Sequence, residues 1–361
     1  MLITFAINQT HLENRKTPFL LHQFCFLTFL FVFHCTANSQ IVANQNSYRL
    51  VFWNVENLFD IWDDSIHSDE DFTPEGSYHW TNHRYKVKLT RITQVLTALG
   101  GEAQPAFEMP VIVGMAEIEN DKVLRDLCRG TPLRQFGYDF IHYESPDQRG
   151  IDNALLYRQD HYRPFYSQAI NVSDTANGFR TRDILLVEGT LSNGDTLILL
   201  VNHFPSKRGG ATADKRRMQI AQTLRRTMDS LTTAHPQAAI VVMGDFNAAP
   251  DEEEIRKGLM QGHTAPYGTF TNLMTSIEPG RGTHKYQDHW SCLDQIIVSS
   301  NLCNGNNRLI AGDGMVFEAD FLLLNDDKFI GKKVFRTYLG MRYQGGYSDH
   351  LPVYVDIWTG Q

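Results

Sequence analysis

The stretch AIVVMGDFN, from Ala239 to Asn247, has the composition of a buried β-strand that runs directly into polar residues. Its β-branched and apolar residues favour an extended backbone. Side chains two positions apart on a strand point to the same face, so Asp245 and Asn247 are expected to lie together. Gly244 would leave room beside them for a bound group. The alternative is an ordinary strand that ends in a polar turn before Pro250.

Polar residues follow other predicted strands in the same way. The strand predicted over residues 48–55 carries Asn54 and Glu56 at its end, and the apolar run of residues 110–116 leads into Glu117. A near-continuous apolar run is typical of a strand that is covered on both faces. The strand predicted over residues 196–201 leads into Asn202 and His203. A lone histidine is more often structural, but this one repeats the arrangement of the other polar groups.

Two further predicted strands begin with polar groups instead of ending with them. Asp294 lies at the start of the strand over residues 293–299, and Asp349 and His350 precede the strand over residues 351–358. If these strands run antiparallel to the earlier ones, their starts lie at the same edge as the earlier ends. We therefore expect one polar cluster that contains Asn54, Glu56, Glu117, His203, Asp245, Asn247, Asp294, Asp349 and His350.

The expected cluster is too polar to be buried without a cation and an anionic ligand. Its donors are mainly oxygen atoms and include no thiolate, which suits Mg²⁺, Mn²⁺ or Ca²⁺ better than Zn²⁺. Histidine beside aspartate suits proton transfer during chemistry at a phosphoryl group. The pattern therefore predicts a metal-dependent enzyme that acts on phosphate esters.

A helix is predicted before the second of these strands, because Ile92, Leu96 and Leu99 repeat with helical spacing ahead of two glycines. Its basic residues are interpreted as a solvated face; they are Arg84, Lys86 and Lys88. A second amphipathic helix is predicted to begin near Asp214. Between the two helices lies a polar loop over residues 144–150, in which Arg149 either binds phosphate or is an ordinary turn residue. The loop sequence by itself favours the ordinary turn residue.

The first 39 residues differ from the rest of the chain. Arg15 and Lys16 precede an apolar run over residues 18–33, and small residues follow before Gln40. This order is typical of a secretory signal peptide over residues 1–39, with a short membrane anchor or a buried helix as the alternative. A cleaved signal peptide predicts a secreted or periplasmic protein with no stable membrane association.

Composition bounds the remaining possibilities. The chain has 361 residues, of which 42% are hydrophobic and 20% charged, as expected for a soluble protein with a large core. No linker or repeat divides it, so we expect one domain over residues 48–361, acting as a monomer. The formal net charge of −8 argues against a large non-specific surface for polyanions, although a local basic or metal-bearing cleft could still take phosphate.

Three cysteines follow the predicted signal peptide, namely Cys128, Cys292 and Cys303. An odd number permits at most one disulfide bond within the chain. Cys292 and Cys303 are the nearest pair, but their spacing does not decide between a disulfide and free thiols.

Several motifs occur in the order found in the endonuclease/exonuclease/phosphatase superfamily, which includes DNase I-like nucleases. They are WNVEN at residues 53–57, the strand end at Glu117, NH at residues 202–203, GDFN at residues 244–247, LD at residues 293–294 and SDHLP at residues 348–352. The chain resembles this superfamily from Tyr48 to its end. The resemblance implies an α/β fold of four layers, in which two mixed β-sheets pack face to face with helices outside, and a metal-dependent phosphoesterase activity.

The resemblance also implies roles for individual residues. Asn54, Glu56, Glu117 and Asp349 would lie at or beside the metal ion. Asp245 and Asn247 would orient the attacking water and hold the phosphate. His350, paired with Asp294, would act as general base or stabilise the phosphate. His203 would assist the leaving group with Glu144 as its partner, and Arg182 would bind phosphate.

Three functions remain open from the sequence. The first is a secreted Mg²⁺-dependent endonuclease that hydrolyses phosphodiester bonds of DNA or RNA, with nucleic acid as substrate; export, the two histidines and the two arginines favour it. The second is a phosphatase or phospholipase-type esterase that acts on a small-molecule, inositol or lipid phosphate, which the acidic net charge favours. The third is a binding protein without activity, which is disfavoured because every expected site residue is present.

Overall fold

Two mixed β-sheets packed face to face make up most of the described protein. The computed structural model describes residues 47–101, 108–261, 269–303 and 308–359, so the predicted signal peptide lies outside the described residues. The α-helices within these ranges are α1 (Asn82–Gly101), α2 (Asp121–Gly130) and α3 (Gly210–Ala234), and a π-helical turn covers Glu254–Leu259. None of the described helices is both long enough and apolar enough to cross a membrane.

The first sheet consists of β1 (Ser47–Leu58), β2 (Ile112–Ile118), β3 (Tyr138–His142), β4 (Asp152–Arg158), β13 (Leu309–Ala311), β14 (Met315–Val316) and β19 (Val353–Thr359). Its strand order is β13-β19-β1-β2-β4-β3, and β14 also pairs with β19. The second sheet consists of β5 (Tyr162–Ile170), β6 (Ile184–Leu191), β7 (Thr196–His203), β8 (Ala239–Asp245), β9 (Phe270–Asn272) and β12 (Asp294–Ser299), in the order β5-β6-β7-β8-β12-β9.

Short two-stranded ribbons complete the described strands. They are β10 (His284–Tyr286) with β11 (His289–Ser291), β15 (Leu323–Asn325) with β16 (Lys332–Val334), and β17 (Tyr338–Leu339) with β18 (Arg342–Tyr343). Two of these ribbons bring residues to the site described below, because His284 opens β10 and Arg336 lies just before β17.

Each large sheet is built around one parallel pair of strands. In the first sheet β1 and β2 are parallel, with α1 between them in the chain, and in the second sheet β7 and β8 are parallel, with α3 between them. The strands beside these pairs, β19 next to β1 and β12 next to β8, run antiparallel, as the sequence predicts. The ends of the parallel strands and the starts of β12 and β19 therefore lie at corresponding edges of the two sheets.

The inner faces of the two sheets share one hydrophobic core, which contains Phe52 and Val113 from the first sheet and Val241 and Met243 from the second. The sheets approach closely: a Cβ atom on Gly114 of β2 would lie 2.6 Å from Met243 Sδ. On the outside, α1 contacts β1, and α3 packs on the second sheet. This arrangement confirms the predicted four-layered sandwich of DNase I-like folds.

Local features agree with the residues that form them. β6 and β7 form a hairpin whose turn contains Asn193 and Gly194, and Asn120 caps α2 by accepting a hydrogen bond from the Val123 N–H at 3.1 Å. Cys292 is buried, Cys303 is exposed, and both are free thiols, so the structure contains no disulfide between them.

Two local interpretations are wrong. Lys88 does not belong to a solvated face, because only 1% of it is exposed. Gly244 does not make room for a bound group: a Cβ atom there would lie 2.4 Å from the carbonyl oxygen of Asn202 on the neighbouring strand β7. The glycine is therefore required for the close approach of β7 and β8.

Candidate active site

The predicted polar residues meet at the edge where the two sheets face each other. The first sheet and its flanking loops supply Asn54, Glu56, Glu117, Asp349 and His350, and the second sheet supplies His203, Asp245, Asn247 and Asp294. We call these nine residues the inter-sheet site.

Side chains of the inter-sheet site contact each other across the two sheets. Asn54 donates a hydrogen bond from Nδ2 to Asp245 Oδ2 at 3.1 Å. His350 Nδ1 lies 2.7 Å from Asp294 Oδ2, and His203 Nε2 lies 3.9 Å from Glu117 Oε1. Each contact joins one residue from the first sheet to one from the second, so the site exists only when the sheets are docked.

Several residues of the site have a backbone conformation that side chains normally avoid. The φ angle is 56° at Glu56, 52° at Asn57, 64° at Glu117 and 47° at Asn247. Glu56 and Asn57 lie near the end of β1, Glu117 lies near the end of β2, and Asn247 lies just after β8. The Asn57 N–H donates to Glu117 Oε2 at 2.8 Å. Positive φ angles in residues other than glycine are costly and cluster at functional sites.

Asp294, His350 and Asp245 form a buried line of alternating charge. His350 Nε2 lies 3.7 Å from Asp245 Oδ2, on the opposite side of the ring from Asp294. Burial alone would lower the pKa of His350, but the carboxylates of Asp294 and Asp245 raise it well above its ordinary value. Burial raises the pKa of Asp245, and the charge of Asp294 raises it further.

The serine of the SDHLP motif positions this histidine. Ser348 Oγ donates a hydrogen bond to the Asn54 carbonyl at 2.7 Å and accepts one from the His350 N–H at 3.0 Å. The His350 carbonyl in turn accepts a hydrogen bond from Trp53 Nε1 at 2.9 Å. Hydrogen bonds between the SDHLP and WNVEN motifs therefore hold the loop before β19 against the end of β1.

His203 differs electrostatically from His350. Its Nε2 atom lies 3.6 Å from Asp245 Oδ2, and its buried Nδ1 atom has no hydrogen-bond partner among the described residues. Burial lowers the pKa of His203 well below its ordinary value, and the positive charges of Arg182 and Arg149 lower it further. The two histidines of the site thus favour opposite protonation states.

Glu56 and Asp349 share two cations that the sequence interpretation did not include in the site. Arg336 contacts Glu56 Oε1 at 3.4 Å and Asp349 Oδ2 at 2.7 Å. Glu56 also accepts a hydrogen bond from the Thr337 N–H at 2.6 Å. Beneath them, Lys88 Nζ donates to Thr337 Oγ1 at 2.6 Å and to the Tyr347 carbonyl at 2.7 Å. Burial lowers the pKa of Lys88, while the negative charge of Glu56 opposes that change.

His284 is another residue that the sequence interpretation missed. Its ring centre lies 4.9 Å from that of His350, and Asp349 completes a group with these two histidines whose ligand atoms all lie within 4.8 Å of one another. Burial and the charge of His350 lower the pKa of His284 to about 4. No periodic or motif signal marked His284, since it opens a strand of only three residues, β10.

The site contains clusters of acidic and histidine side chains that fit a divalent cation. Burial raises the pKa of Glu56, and the charge of Asp349 adds to the shift, although Arg336 and Lys88 oppose it. Negative charge at the site is therefore only partly offset by the cations of the chain, and a bound metal ion would offset the remainder. Among the described residues, the groups of three or more acidic, histidine or cysteine side chains with ligand atoms within 4.8 Å of one another include neither Glu56 nor Glu117, which are both predicted ligands.

The remaining predicted residues lie next to the site in different environments. Arg182 is buried and donates to Asp147 Oδ2 at 3.0 Å and to the Phe204 carbonyl at 2.8 Å. Arg149 is half exposed, with Nε 3.7 Å from Asp147 Oδ1. Asn247 Nδ2 also donates to the Phe204 carbonyl, at 2.9 Å. Their roles at the phosphate stay predictions, and Arg182 already uses both terminal nitrogens within the protein.

The predicted pairing of His203 with Glu144 is not formed. Within the described residues, the carboxylates within 4.0 Å of His203 are those of Glu117 and Asp245. Glu144 lies instead with His142 and Asp152, where the ligand atoms of all three approach within 4.8 Å. The physical reason is the β3–β4 pairing, which holds the start of the loop beside Asp152.

The fold and this site are those of a phosphoesterase built on a four-layered α/β sandwich. The profile of the Endonuclease/Exonuclease/phosphatase family matches residues 49–359, and the chain therefore belongs to this family. It is an enzyme family whose members generally depend on divalent metal ions. No curated protein sequence gives a match.

Several solved structures have the same fold. A humanized D. rerio TDP2 is 17% identical, with a TM-score of 0.53 over 86% of this chain and 98% of that chain. A mannosyl-6-phosphatase of Bacteroides thetaiotaomicron is 16% identical, with a TM-score of 0.53 over 86% of this chain and 99% of that one. The human Nocturnin catalytic domain is 15% identical, with a TM-score of 0.52 over 88% and 96%. At these identities the likeness concerns the fold alone.

Proposed function

We propose that this protein is a metal-dependent endonuclease that hydrolyses phosphodiester bonds in DNA or RNA, with Mg²⁺ as its metal ion. The observation that carries the proposal is the line formed by Asp294, His350 and Asp245, with distances of 2.7 Å and 3.7 Å on the two sides of the imidazole. Asn54 and Glu117 lie beside these three residues, so the site brings together an acid, a base and oxygen ligands.

The residues divide the reaction between them. Asp245 and Asn247 orient water for attack at phosphorus. His350, held at Nδ1 by Asp294, presents Nε2 to the phosphate and can hold or move a proton there. Asn54, Glu56, Glu117 and Asp349 would hold the metal ion. The metal ion, when bound, offsets negative charge on the phosphate oxygens. As the water bonds to phosphorus, its proton passes to Asp245 and the bond from phosphorus to the leaving oxygen breaks. That oxygen takes a proton from solvent, and His203, which favours the neutral form, would donate a hydrogen bond to it.

Cationic groups support nucleic acid as the substrate. Arg149 is exposed near His203, and Lys207 and Arg208 are exposed in the segment that follows His203 in the chain. A polyanion with several phosphates can contact such groups beside the cleaved bond, whereas a single phosphate reaches fewer of them. Among proteins with this fold, the D. rerio TDP2 has been solved in complex with single strand DNA product.

A phosphatase that acts on a small phosphate monoester is the second candidate. The formal net charge of −8 disfavours a long polyanion. His284 and Arg336 add polar groups on the Asp349 side, where a compact substrate such as a sugar phosphate could contact them. The mannosyl-6-phosphatase from Bacteroides thetaiotaomicron shares the fold.

Supercoiled plasmid tests the first candidate directly. The purified protein is incubated with plasmid and Mg²⁺ or Mn²⁺, in parallel with EDTA, and His350→Ala is compared with the control His161→Ala. Nicking that requires both the metal ion and His350 is expected. Phosphate release from sugar phosphates without nicking would select the second candidate. Absence of both activities under all metal conditions would contradict a hydrolytic function.

We also propose that the protein is exported, on the basis of the signal-like order of residues 1–39. Edman sequencing of the protein recovered from the periplasm or medium of its native cells is expected to begin at Gln40. An intact N-terminus in the cytoplasmic fraction would contradict export and would leave the proposed hydrolysis untouched.

A further inference from the structure

A second cluster of metal-ligand types lies where β3 ends and β4 begins. It consists of His142, Glu144 and Asp152, whose ligand atoms all lie within 4.8 Å of one another. His142 is the last residue of β3 and Asp152 the first of β4, and these strands are paired. The reaction proposed above uses neither His142 nor Asp152.

The cluster contains two buried polar atoms without hydrogen bonds. The side chains of His142 and Asp152 are each only 2% exposed. His142 Nε2 and Asp152 Oδ2 lie 3.4 Å apart, yet neither has a hydrogen-bond partner among the described residues. A buried polar atom without a partner costs roughly 1–3 kcal/mol. When His142 is protonated, these two atoms form an ion pair at 3.4 Å, and a metal cation can replace the proton between them.

Contacts on the far side of each group fix its orientation. His142 Nδ1 lies 3.0 Å from Asp121 Oδ1, at the start of α2, so Nδ1 donates to that carboxylate. Asp152 Oδ1 accepts a hydrogen bond from the Ser145 N–H at 3.0 Å. Burial lowers the pKa of His142 but the carboxylate of Asp152 raises it, so a cation would displace the proton on Nε2 and would be bound between Nε2 and Asp152 Oδ2. Metal-ligating histidines are commonly oriented by a carboxylate on the other ring nitrogen in this way.

We propose that His142, Glu144 and Asp152 bind a transition-metal cation, with Zn²⁺ as the best fit. Two ligand atoms about 2.1 Å from a tetrahedral Zn²⁺ lie about 3.4 Å apart, which equals the separation of His142 Nε2 and Asp152 Oδ2. A nitrogen donor among carboxylates suits Zn²⁺ better than Mg²⁺, which prefers oxygen ligands. The exposed side chain of Glu144 leaves the fourth position open to water.

A cation bound by His142, Glu144 and Asp152 would stabilise the loop over residues 145–151. Glu144 and Asp152 bracket residues 145–151, and this segment includes Asp147, which holds Arg182 through a 3.0 Å hydrogen bond. Binding would tie both ends of the loop to β3 and so fix Arg149 beside the inter-sheet site. The assignment gives Glu144 a structural ligand role in place of the catalytic partnership with His203.

Zinc titration of the EDTA-stripped protein by isothermal calorimetry tests the proposal. Every protein in the titration carries Asp349→Asn, which removes a predicted metal ligand of the inter-sheet site. Within this background, protein with the intact cluster of His142, Glu144 and Asp152 is compared with protein that carries a further substitution. His142→Gln is the test variant, and His161→Gln is its matched control, because His161 Nε2 also lies near two carboxylates, 3.6 Å from both Glu108 and Asp160. We expect His142→Gln to weaken one zinc site at least tenfold, and His161→Gln to leave it unchanged.

Cobalt(II) gives a second, independent measurement. Its visible absorption spectrum in the same background is expected to show a tetrahedral site with a nitrogen ligand, and this signal should vanish in His142→Gln. Asp152→Asn, which preserves side-chain shape, serves if His142→Gln does not fold, as judged by circular dichroism. Equal zinc affinity and stoichiometry in the parent and the folded variant would overturn the proposal, and His142 would then be a charged bridge between Asp121 and Asp152. Because these measurements do not use activity, their failure is distinct from failure of the proposed hydrolysis.

Discussion

Asp294 and Asp245 lie directly opposite each other on the antiparallel strands β12 and β8. Like charges in this position destabilise a sheet, and both side chains are buried. His350 comes from the other sheet and lies between them, 2.7 Å from one carboxylate and 3.7 Å from the other. The imidazole therefore serves two purposes, since it offsets the repulsion between the strands and provides the proton-transfer group.

Replacement of Asp294 by asparagine should separate these purposes. Asp294→Asn retains the shape of the side chain but removes the charge that orients His350 through Nδ1. We expect kcat to fall by about 10²–10⁴-fold, with the fold intact because one of two opposed carboxylates is gone. Turnover of the hydrolysed substrate and circular dichroism provide the measurement, with the exposed Asp288→Asn as control. If Asp294→Asn turns over substrate at the wild-type rate, the proposed role of Asp294 in orienting His350 is wrong.

Lys88 should contribute strongly to stability. Lys88→Met removes a buried cation that faces Glu56 and leaves Thr337 Oγ1 and the Tyr347 carbonyl without their donor. We expect the free energy of unfolding to fall by about 3 kcal/mol, as when one partner of a buried charge pair is lost. Urea unfolding measures the change. The same substitution at Lys86, which is exposed two positions earlier on α1, should change stability by less than about 0.5 kcal/mol; similar losses in both variants would argue against the buried role.

Asp326 should make stability depend on pH in the acid range. Burial would raise its pKa, but hydrogen bonds from Lys285 and from two backbone N–H groups lower it to about 2. Since this lies below the unfolded value of about 3.9, the stabilisation is present above pH 4 and is lost as the pH falls towards 2. Because solvent screens part of the shift, we expect a contribution of about 1–2 kcal/mol.

The check for Asp326 is a comparison of neighbouring variants. Urea unfolding at a series of pH values between 2 and 5 should show a shallower loss of stability in Asp326→Asn than in the wild type. Asp327→Asn removes an adjacent exposed carboxylate that pairs with Lys333 and should follow the wild-type curve. Parallel curves for wild type and Asp326→Asn would show that this ion pair does not control acid stability.

Gly244 should tolerate no side chain. In Gly244→Ala the new Cβ atom would lie 2.4 Å from the Asn202 carbonyl oxygen and 2.8 Å from Asn202 Cβ, and backbone cannot move aside as a flexible side chain can. We expect a loss of at least about 2 kcal/mol in stability, within the range for overpacking. Gly130→Ala is the control, because no atom lies within 4 Å of a Cβ there, and it should be neutral or slightly stabilising. If Gly244→Ala is as stable as the control, the two strands are less rigidly packed than the structure indicates.

The order of polar residues along the chain predicted that the residues of the inter-sheet site come together, whereas the two packed sheets were implied by the resemblance to the superfamily. Asp245 closes β8, and Glu117 and Asn54 lie near the ends of β2 and β1. The convergence of Asp294 and His350 on this site depended on the condition that β12 and β19 run antiparallel to their neighbours, and the structure meets that condition. These predictions depend on the order of polar residues and strands along the chain, and the structure agrees with them.

Contacts that depend on irregular segments could not be predicted in this way. Arg336 reaches the site from the loop before β17, and His284 from the first position of the three-residue strand β10. Neither segment is long enough to show a periodicity that indicates direction. The burial of Lys88 was predictable, since Lys88 lies four residues before Ile92 on the apolar face of α1. Its charge instead led to the interpretation of a solvated residue. Glu144 was assigned by loop alignment, and only the pairing of β3 with β4 shows that it belongs with His142.

The division of the inter-sheet site between two sheets has a kinetic consequence. Each sheet can form its own hydrogen bonds without aligning Asn54 with Asp245 or His350 with Asp294, because these contacts arise only on docking. During refolding, recovery of activity should therefore lag behind the appearance of β-structure and coincide with burial of Trp53, whose indole bonds the His350 carbonyl. Recovery of activity would then mark the folding step in which the two sheets dock.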